Sequence, residues 1–162
     1  MLQDKAEKLV ALLRRQGLSI TTAESLTGGR IAAAITGVAG ASRVFPGGFV
    51  TYCDRVKRLL LEVPAELLET RGAVSEPVAA AMAKGAAKRL GTDLSLSATG
   101  LAGPEGDGAH PVGTVYLGLF AEGGVTVAHR VFSGDRAAVQ TQSVETALEL
   151  AIDYLEKRGA TP

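Results

Sequence analysis

The chain contains no tryptophan and only seven aromatic residues among 162, so its interior has to be built from Ala, Val, Leu and Ile in close contact. It holds a single cysteine, Cys53, which excludes an internal disulfide, and Met1-Leu2-Gln3-Asp4-Lys5 lacks the apolar run of a secretory leader, so a cytoplasmic location is expected. It has no surplus of either charge, with 17 Lys and Arg against 17 Asp and Glu. That balance removes the broad positive face with which a protein grips a nucleic-acid backbone, while leaving room for a small anion held by one or two local cations. Arg, Glu, Asp or Gly interrupts every apolar stretch well before the roughly 20 residues that span a bilayer, so no membrane partner is expected.

The length suits one domain across residues 1–162 with a real hydrophobic core. Leu2, Ala6, Leu9, Val10 and Leu13 recur at helical spacing and Gly17 follows as a stop, which predicts a helix over 3–16. A short strand over 18–22 and a helix over 25–35 follow, with Ser25 at their junction. Strands are read at 48–52, 93–99, 112–121 and 125–132, the last two joined as a hairpin by Glu122-Gly123-Gly124. Helices are read at 54–61, 64–70, from Ser75-Glu76-Pro77 to Gly91, and at 135–158, with Gly159 to Pro162 as a loose tail. Helices alternating with strands, plus one hairpin, predict a three-layer α/β/α sandwich around a mixed, mostly parallel sheet of about five strands. Alanine-rich helices left exposed often pair, so a homodimer is compatible with the sequence.

The first chemical constellation is Thr21-Thr22-Ala23-Glu24-Ser25-Leu26-Thr27-Gly28-Gly29, where a strand hands over to a helix. A serine there meets free N–H groups and a positive helix end, suited to an oxyanion or a bound anion, and Gly28 and Gly29 admit a ligand close to the backbone. Equally, Ser25 or Thr27 serves as a plain helix cap. A serine nucleophile needs a base. His110, in a glycine-rich loop, and His129, within a strand, are the two histidines available; each also reads as structural. Lys57, in Tyr52-Cys53-Asp54-Arg55-Val56-Lys57-Arg58, becomes a base if burial and neighbouring cations keep its amine neutral, and is otherwise a solvated charge. Cys53 lacks an evident partner base and reads as a buried residue at a strand end.

The loop Thr99-Gly100-Leu101-Ala102-Gly103-Pro104-Glu105-Gly106-Asp107-Gly108 can line up N–H groups as an anion-binding concavity, or simply join two strands. Phe132-Ser133-Gly134-Asp135-Arg136 opens the last helix; Asp135 suits a cap, and Arg136 either clamps a phosphate or is a surface arginine.

In order along the chain, Thr22 to Gly29, Gly48-Phe49-Val50-Thr51-Tyr52, Gly72-Ala73-Val74-Ser75-Glu76-Pro77, Thr99 to Pro104, Pro111-Val112-Gly113-Thr114-Val115 and Phe132 to Arg136 resemble the C-terminal domain family of the CinA proteins, over about residues 5–157. The resemblance implies a three-layer sandwich with a mixed sheet. It also implies nicotinamide-nucleotide amidase activity: an amidohydrolase acting on a linear carboxamide, converting nicotinamide mononucleotide to nicotinic acid mononucleotide and ammonia in pyridine-nucleotide salvage, with no metal and no cofactor. Carried across, it makes Ser25 the nucleophile, Lys57 the general base and Tyr52 a residue that assists proton transfer or positions the base. It makes Thr27, Gly28, Gly29, Gly48, Phe49, Thr99, Gly100, Ala102, Gly103 and Arg136 the substrate-binding set, with N–H groups around Ser25 to Thr27 as the oxyanion hole. Many relatives carry a further N-terminal domain resembling molybdopterin-binding proteins; this sequence shows no counterpart, so the pyrophosphatase activity associated with it is expected to be absent. Cys53 and Leu26 stand where relatives often have Ser or Thr and Cys, and neither change removes a proposed catalytic group. From the residues alone, a nucleotide-binding module without catalysis and a purely structural domain remain as other readings.

Overall fold

The computed structural model describes residues 1–160. Along the chain lie α1 (Leu2–Gln16), β1 (Ile20–Glu24), α2 (Arg30–Thr36), a 3-10 turn (Ala41–Arg43), β2 (Gly48–Val50), α3 (Asp54–Leu61), α4 (Ala65–Arg71), α5 (Glu76–Leu90), β3 (Leu94–Gly100), β4 (Thr114–Ala121), β5 (Gly124–Val131) and α6 (Arg136–Ala160). The sheet runs β2-β1-β3-β4-β5. β1 pairs parallel with both β2 and β3, whereas β3–β4 and β4–β5 are antiparallel, so the sheet is mixed as expected but half parallel, at the β2 side, and not mostly so, because the β4–β5 hairpin adds two antiparallel pairings. Helices α1, α2 and α6 cover one face and α3, α4 and α5 the other, completing three layers.

The predicted aliphatic core is present. Leu9, Leu13, Ile20, Ile31, Leu96, Leu117 and Leu148 belong to one buried cluster, and Leu61, Val78 and Met82 to a second across the sheet. The alanines of α5 are part of it rather than exposed: Ala79, Ala83 and Ala86 are fully buried. Small side chains let this helix approach closely, and Gly85 takes the approach to its limit. A Cβ there would run into the backbone carbonyl oxygen of Leu61 on α3. Gly→Ala in a helix interior ordinarily gains about 1 kcal/mol. Here the obstacle is backbone, which cannot rotate away, and overpacking of about 1–3 kcal/mol outweighs that gain. Gly85→Ala is therefore expected to lower the Tm by several degrees in a thermal unfolding experiment, against the helix-propensity trend.

Several boundaries differ from the sequence reading, each for a local reason. α2 begins at Arg30, not Ser25, because Gly28 and Gly29 adopt left-handed φ values of 56° and 94° that break the helical path. β2 stops at Val50, so Thr51 and Tyr52 leave the sheet; Cys53 then becomes the residue before α3 and is exposed, not buried. Pro64 precedes α4 instead of lying in its first turn. The hairpin turn needs only Glu122 and Gly123, whose φ values of 51° and 80° are those of a tight primed turn. Gly159 and Ala160 extend α6, and the remainder of the expected tail, Thr161 and Pro162, lies outside the described residues.

Pairing register explains where function can gather. Glu24, the last residue of β1, is opposite Val50 of β2 and Ala98 of β3, and Gly100 is opposite Val115 at the start of β4, while Thr114 is opposite Val131 at the end of β5. The segments following β1, β2, β3 and β5 thus leave the sheet at one edge. That edge lies between β1 and β3, where chain order reverses to either side, and strand carboxyl ends at such a point are where open α/β sheets hold ligands.

Candidate active site

Ser25 leaves β1 directly and donates its N–H to Ala98 O at 2.8 Å, which keeps it in line with the sheet. The turn beyond it is closed by Gly28 N–H donating to Ser25 O (3.0 Å) and Arg30 N–H to Thr27 O (3.0 Å). Two side chains to which the sequence reading assigns no role hold this turn. The Glu24 carboxylate, fully buried, accepts from the N–H groups of Ile31 (2.8 Å) and Ala32 (3.0 Å), satisfying free donors at the start of α2 with a negative charge. Gln140 reaches from α6 and donates from Nε2 to Leu26 O at 2.9 Å. Its spacing of four from Arg136 placed both on one helix face, a signal available in the sequence. Ser25's own N–H is engaged, whereas the N–H groups of Leu26, Thr27 and Gly29 have no partner among the described residues, and of these three residues Leu26 lines the cavity at Ser25.

Lys57 approaches from beneath. It lies on the inward face of α3 with Leu61, is only 2% exposed, and places Nζ 3.1 Å from Ser25 Oγ and 2.8 Å from Thr51 O. No carboxylate pairs with it among the described residues. Burial pushes its pKa below the ordinary 10.5, against a weaker upward pull from Asp54 and Cys53. A neutral amine in this position donates to the Thr51 carbonyl and turns its lone pair to the serine hydroxyl. The solvated-charge reading of Lys57 is therefore excluded by its position.

Above the pair lies a cavity of about 480 Å³, lined by Ser25, Leu26, Tyr52, Arg136 and the Gly100–Glu105 segment. Arg136 is held from two directions, Nη1 donating to Gly103 O at 2.8 Å and Nη2 to the Tyr52 hydroxyl at 2.6 Å. Tyr52, 62% exposed, thus meets Arg136 through its hydroxyl and stands at the cavity wall. Asp135 caps α6 by accepting from Ala138 N–H at 2.9 Å, as its sequence setting suggests.

The other candidates fall around this centre. Gly100, Ala102 and Gly103 line the cavity and Gly28 lines an adjoining one. Thr27, Gly29, Gly48, Phe49 and Thr99 are not in the lining. Thr99 Oγ1 donates to Ala73 O at 2.7 Å, tying β3 to the segment before α5. Gly48 lies against Thr22, where a side chain would collide with Thr22 Oγ1, and Phe49 packs on the second core cluster. Thr27 is wholly buried, its hydroxyl without a partner among the described residues, and Gly29 precedes α2. The histidines are both engaged elsewhere. His129 stacks on Tyr116 with ring centroids 4.6 Å apart. His110 Nδ1 lies 2.8 Å from the Asp107 carboxylate, which also accepts from the N–H groups of Ala109 and His110; the His110 contact, then these two donors, hold Asp107 at about 2.

A larger cavity, about 680 Å³, opens at the opposite end of the sheet between Arg14, Arg15, Ser19, Arg43 and Asp93. There Ser19 Oγ and N–H both donate to Asp93, at 2.9 and 2.8 Å, and no lysine is in the lining. Size alone does not mark the chemistry here. Among the described residues no helix is long and apolar enough to cross a membrane.

The fold and site together define a three-layer α/β/α domain with a buried lysine against a serine at the strand carboxyl ends. The profile of the CinA C-terminal domain matches residues 2–155, and the chain belongs to that family. It is similar to a CinA-like protein of Citrifermentans bemidjiense (48% identical over 161 residues, 99% of this chain) and to one of Geobacter sulfurreducens (49% over 151 residues, 93% of this chain). It spans 39% and 36% of the length of those two relatives. Among solved structures it is similar to a competence-damaged protein (CinA) superfamily protein of Klebsiella pneumoniae, with a TM-score of 0.94, 34% identity and coverage of 97% of this chain and 99% of the other. The competence/damage inducible protein CihA of Agrobacterium tumefaciens aligns at a TM-score of 0.90 and 40% identity, covering 96% and 95%.

Proposed function

We propose that this domain is a cytoplasmic serine–lysine amidase that hydrolyses the carboxamide of nicotinamide mononucleotide to the carboxylate and ammonia. The observation that carries the reading is the buried Lys57 amine, 3.1 Å from Ser25 Oγ and unpaired with any acid among the described residues. The neutral amine takes the Ser25 proton as Oγ attacks the carboxamide carbon. The oxyanion that forms is held by the N–H group of Leu26, which lines the cavity beside Ser25. Collapse breaks the C–N bond, and the Lys57 ammonium returns its proton to the departing nitrogen, which leaves as ammonia. Water, deprotonated by the same amine, then attacks the acyl-enzyme; the proton passes back to Ser25 Oγ and the acid is released.

The substrate class is supported by Arg136, whose fork is already oriented by Gly103 O and Tyr52 and which lines the Ser25 cavity. Ammonia release measured across nicotinamide, its riboside, its mononucleotide and the dinucleotide tests the reading directly, with the mononucleotide expected to be turned over best. Binding of the mononucleotide with no ammonia released would instead identify a nucleotide-binding module. Arg136→Ala is expected to raise KM for the mononucleotide about tenfold or more, with a smaller effect on the riboside. Equal effects on the two would remove the phosphate contact from the argument.

A further inference from the structure

The Ser25 cavity is one lobe of a larger site. A second cavity of about 570 Å³ shares Leu26, Tyr52 and Arg136 with it and adds Gly28, Arg30, Asp135 and Gln140. The two adjoin where Tyr52 and Arg136 are hydrogen-bonded. Arg30, the first residue of α2, is exposed, makes no ion pair among the described residues, and donates from Nη1 to Thr27 O at 3.1 Å. Gly28, at φ 56°, leaves space for this guanidinium: a Cβ there would lie 3.3 Å from Arg30 Nη1. Two guanidiniums, each steadied by a backbone carbonyl of the site's own loops, therefore face one lobe beside the nucleophile.

Held this way, each arginine loses less freedom on meeting a ligand, and each still presents donors to planar or tetrahedral oxygen groups. A phosphate monoester, with three terminal oxygens, matches two such forks. Asp135 lines the same lobe and, although its Oδ1 is engaged by Ala138 N–H, its charge opposes a second anionic group there. We infer that the Arg30 lobe is the subsite for a single phosphate monoester of the substrate whose carboxamide lies at Ser25, with Arg30 as a determinant of specificity for phosphorylated over unphosphorylated amides. This rests on the amidase reading given above and adds the direction in which the substrate lies.

Two measurements test it. The first compares ammonia release from the mononucleotide and the riboside by the unaltered protein, Arg30→Ala, Arg30→Lys and, as a charge control, Arg43→Ala in the cavity at the far end of the sheet. Arg30→Ala is expected to lower kcat/KM for the mononucleotide about tenfold or more, chiefly through KM, with a much smaller change on the riboside, and Arg30→Lys to recover part of the loss. Equal losses on both substrates, or the same loss in Arg43→Ala, overturn the assignment. The second measures ribose 5-phosphate binding by calorimetry to Ser25→Ala with and without Arg30→Ala. Weaker binding in the double variant supports the subsite and equal binding overturns it. Because this readout needs no turnover, absent ammonia release with Arg30-dependent binding would reject the amidase reading and leave the phosphate lobe standing.

Discussion

Ser25→Ala is expected to reduce ammonia release from nicotinamide mononucleotide by about a thousandfold or more while leaving the fold and substrate binding in place. Without Oγ no acyl-enzyme can form, and what remains is whatever the Leu26 N–H group and the binding lobes contribute to direct attack by water. The fold should tolerate the change, because Ser25 is tied to the sheet through its backbone: the N–H to Ala98 O and the carbonyl from Gly28 N–H are unaffected by the side chain. Steady-state kinetics beside calorimetric binding and a thermal melt separates the outcomes. Turnover close to that of the unaltered protein would end the assignment of Ser25 as nucleophile.

Lys57→Met carries the second large effect. Turnover is expected to fall about a hundredfold to ten-thousandfold, the usual contribution of a positioned base, with mononucleotide binding largely retained. If the rate were kept, a water-mediated base would have to be sought, since His110 is bound to Asp107 and His129 is stacked on Tyr116. The pH dependence gives a sharper test. The rate should fall as pH drops through the Lys57 pKa, which burial has moved below 10.5. Stability follows the same group with a definite sign. Its folded pKa is below its unfolded one, so between the two the unfolded chain binds more protons, and folding stability rises with pH across that window. Lys57→Met should remove this rise. A pH–stability profile identical in the two proteins would mean the amine is not held neutral by the fold.

Much of the architecture was legible because it rests on periodicity. The span of α3 was read as 54–61, and the inward position of Lys57 follows from its place four residues before buried Leu61 on that helix. Hydroxyls and glycines after β1 read as a helix start, yet the cap is supplied from behind by Glu24, a carboxylate whose target lies seven residues onward and across a turn. Local sequence cannot distinguish a side chain capping its own helix from one reaching into the next element. Cys53 differs for a related reason: a strand running to Tyr52 would bury it, and the strand ends at Val50, which leaves it exposed. Gly48, Phe49 and Thr99 fall in motifs of the family, and their contacts here are with the scaffold that carries the site.

That Cys53 is free, exposed and the chain's sole thiol has a practical use. It stands between Tyr52, whose hydroxyl meets Arg136, and the helix that carries Lys57. A maleimide fluorophore would attach there and nowhere else without any engineered residue, putting a spectroscopic reporter at the threshold of the nucleophile's chamber and letting ligand arrival be followed optically in proteins whose chemistry has been silenced.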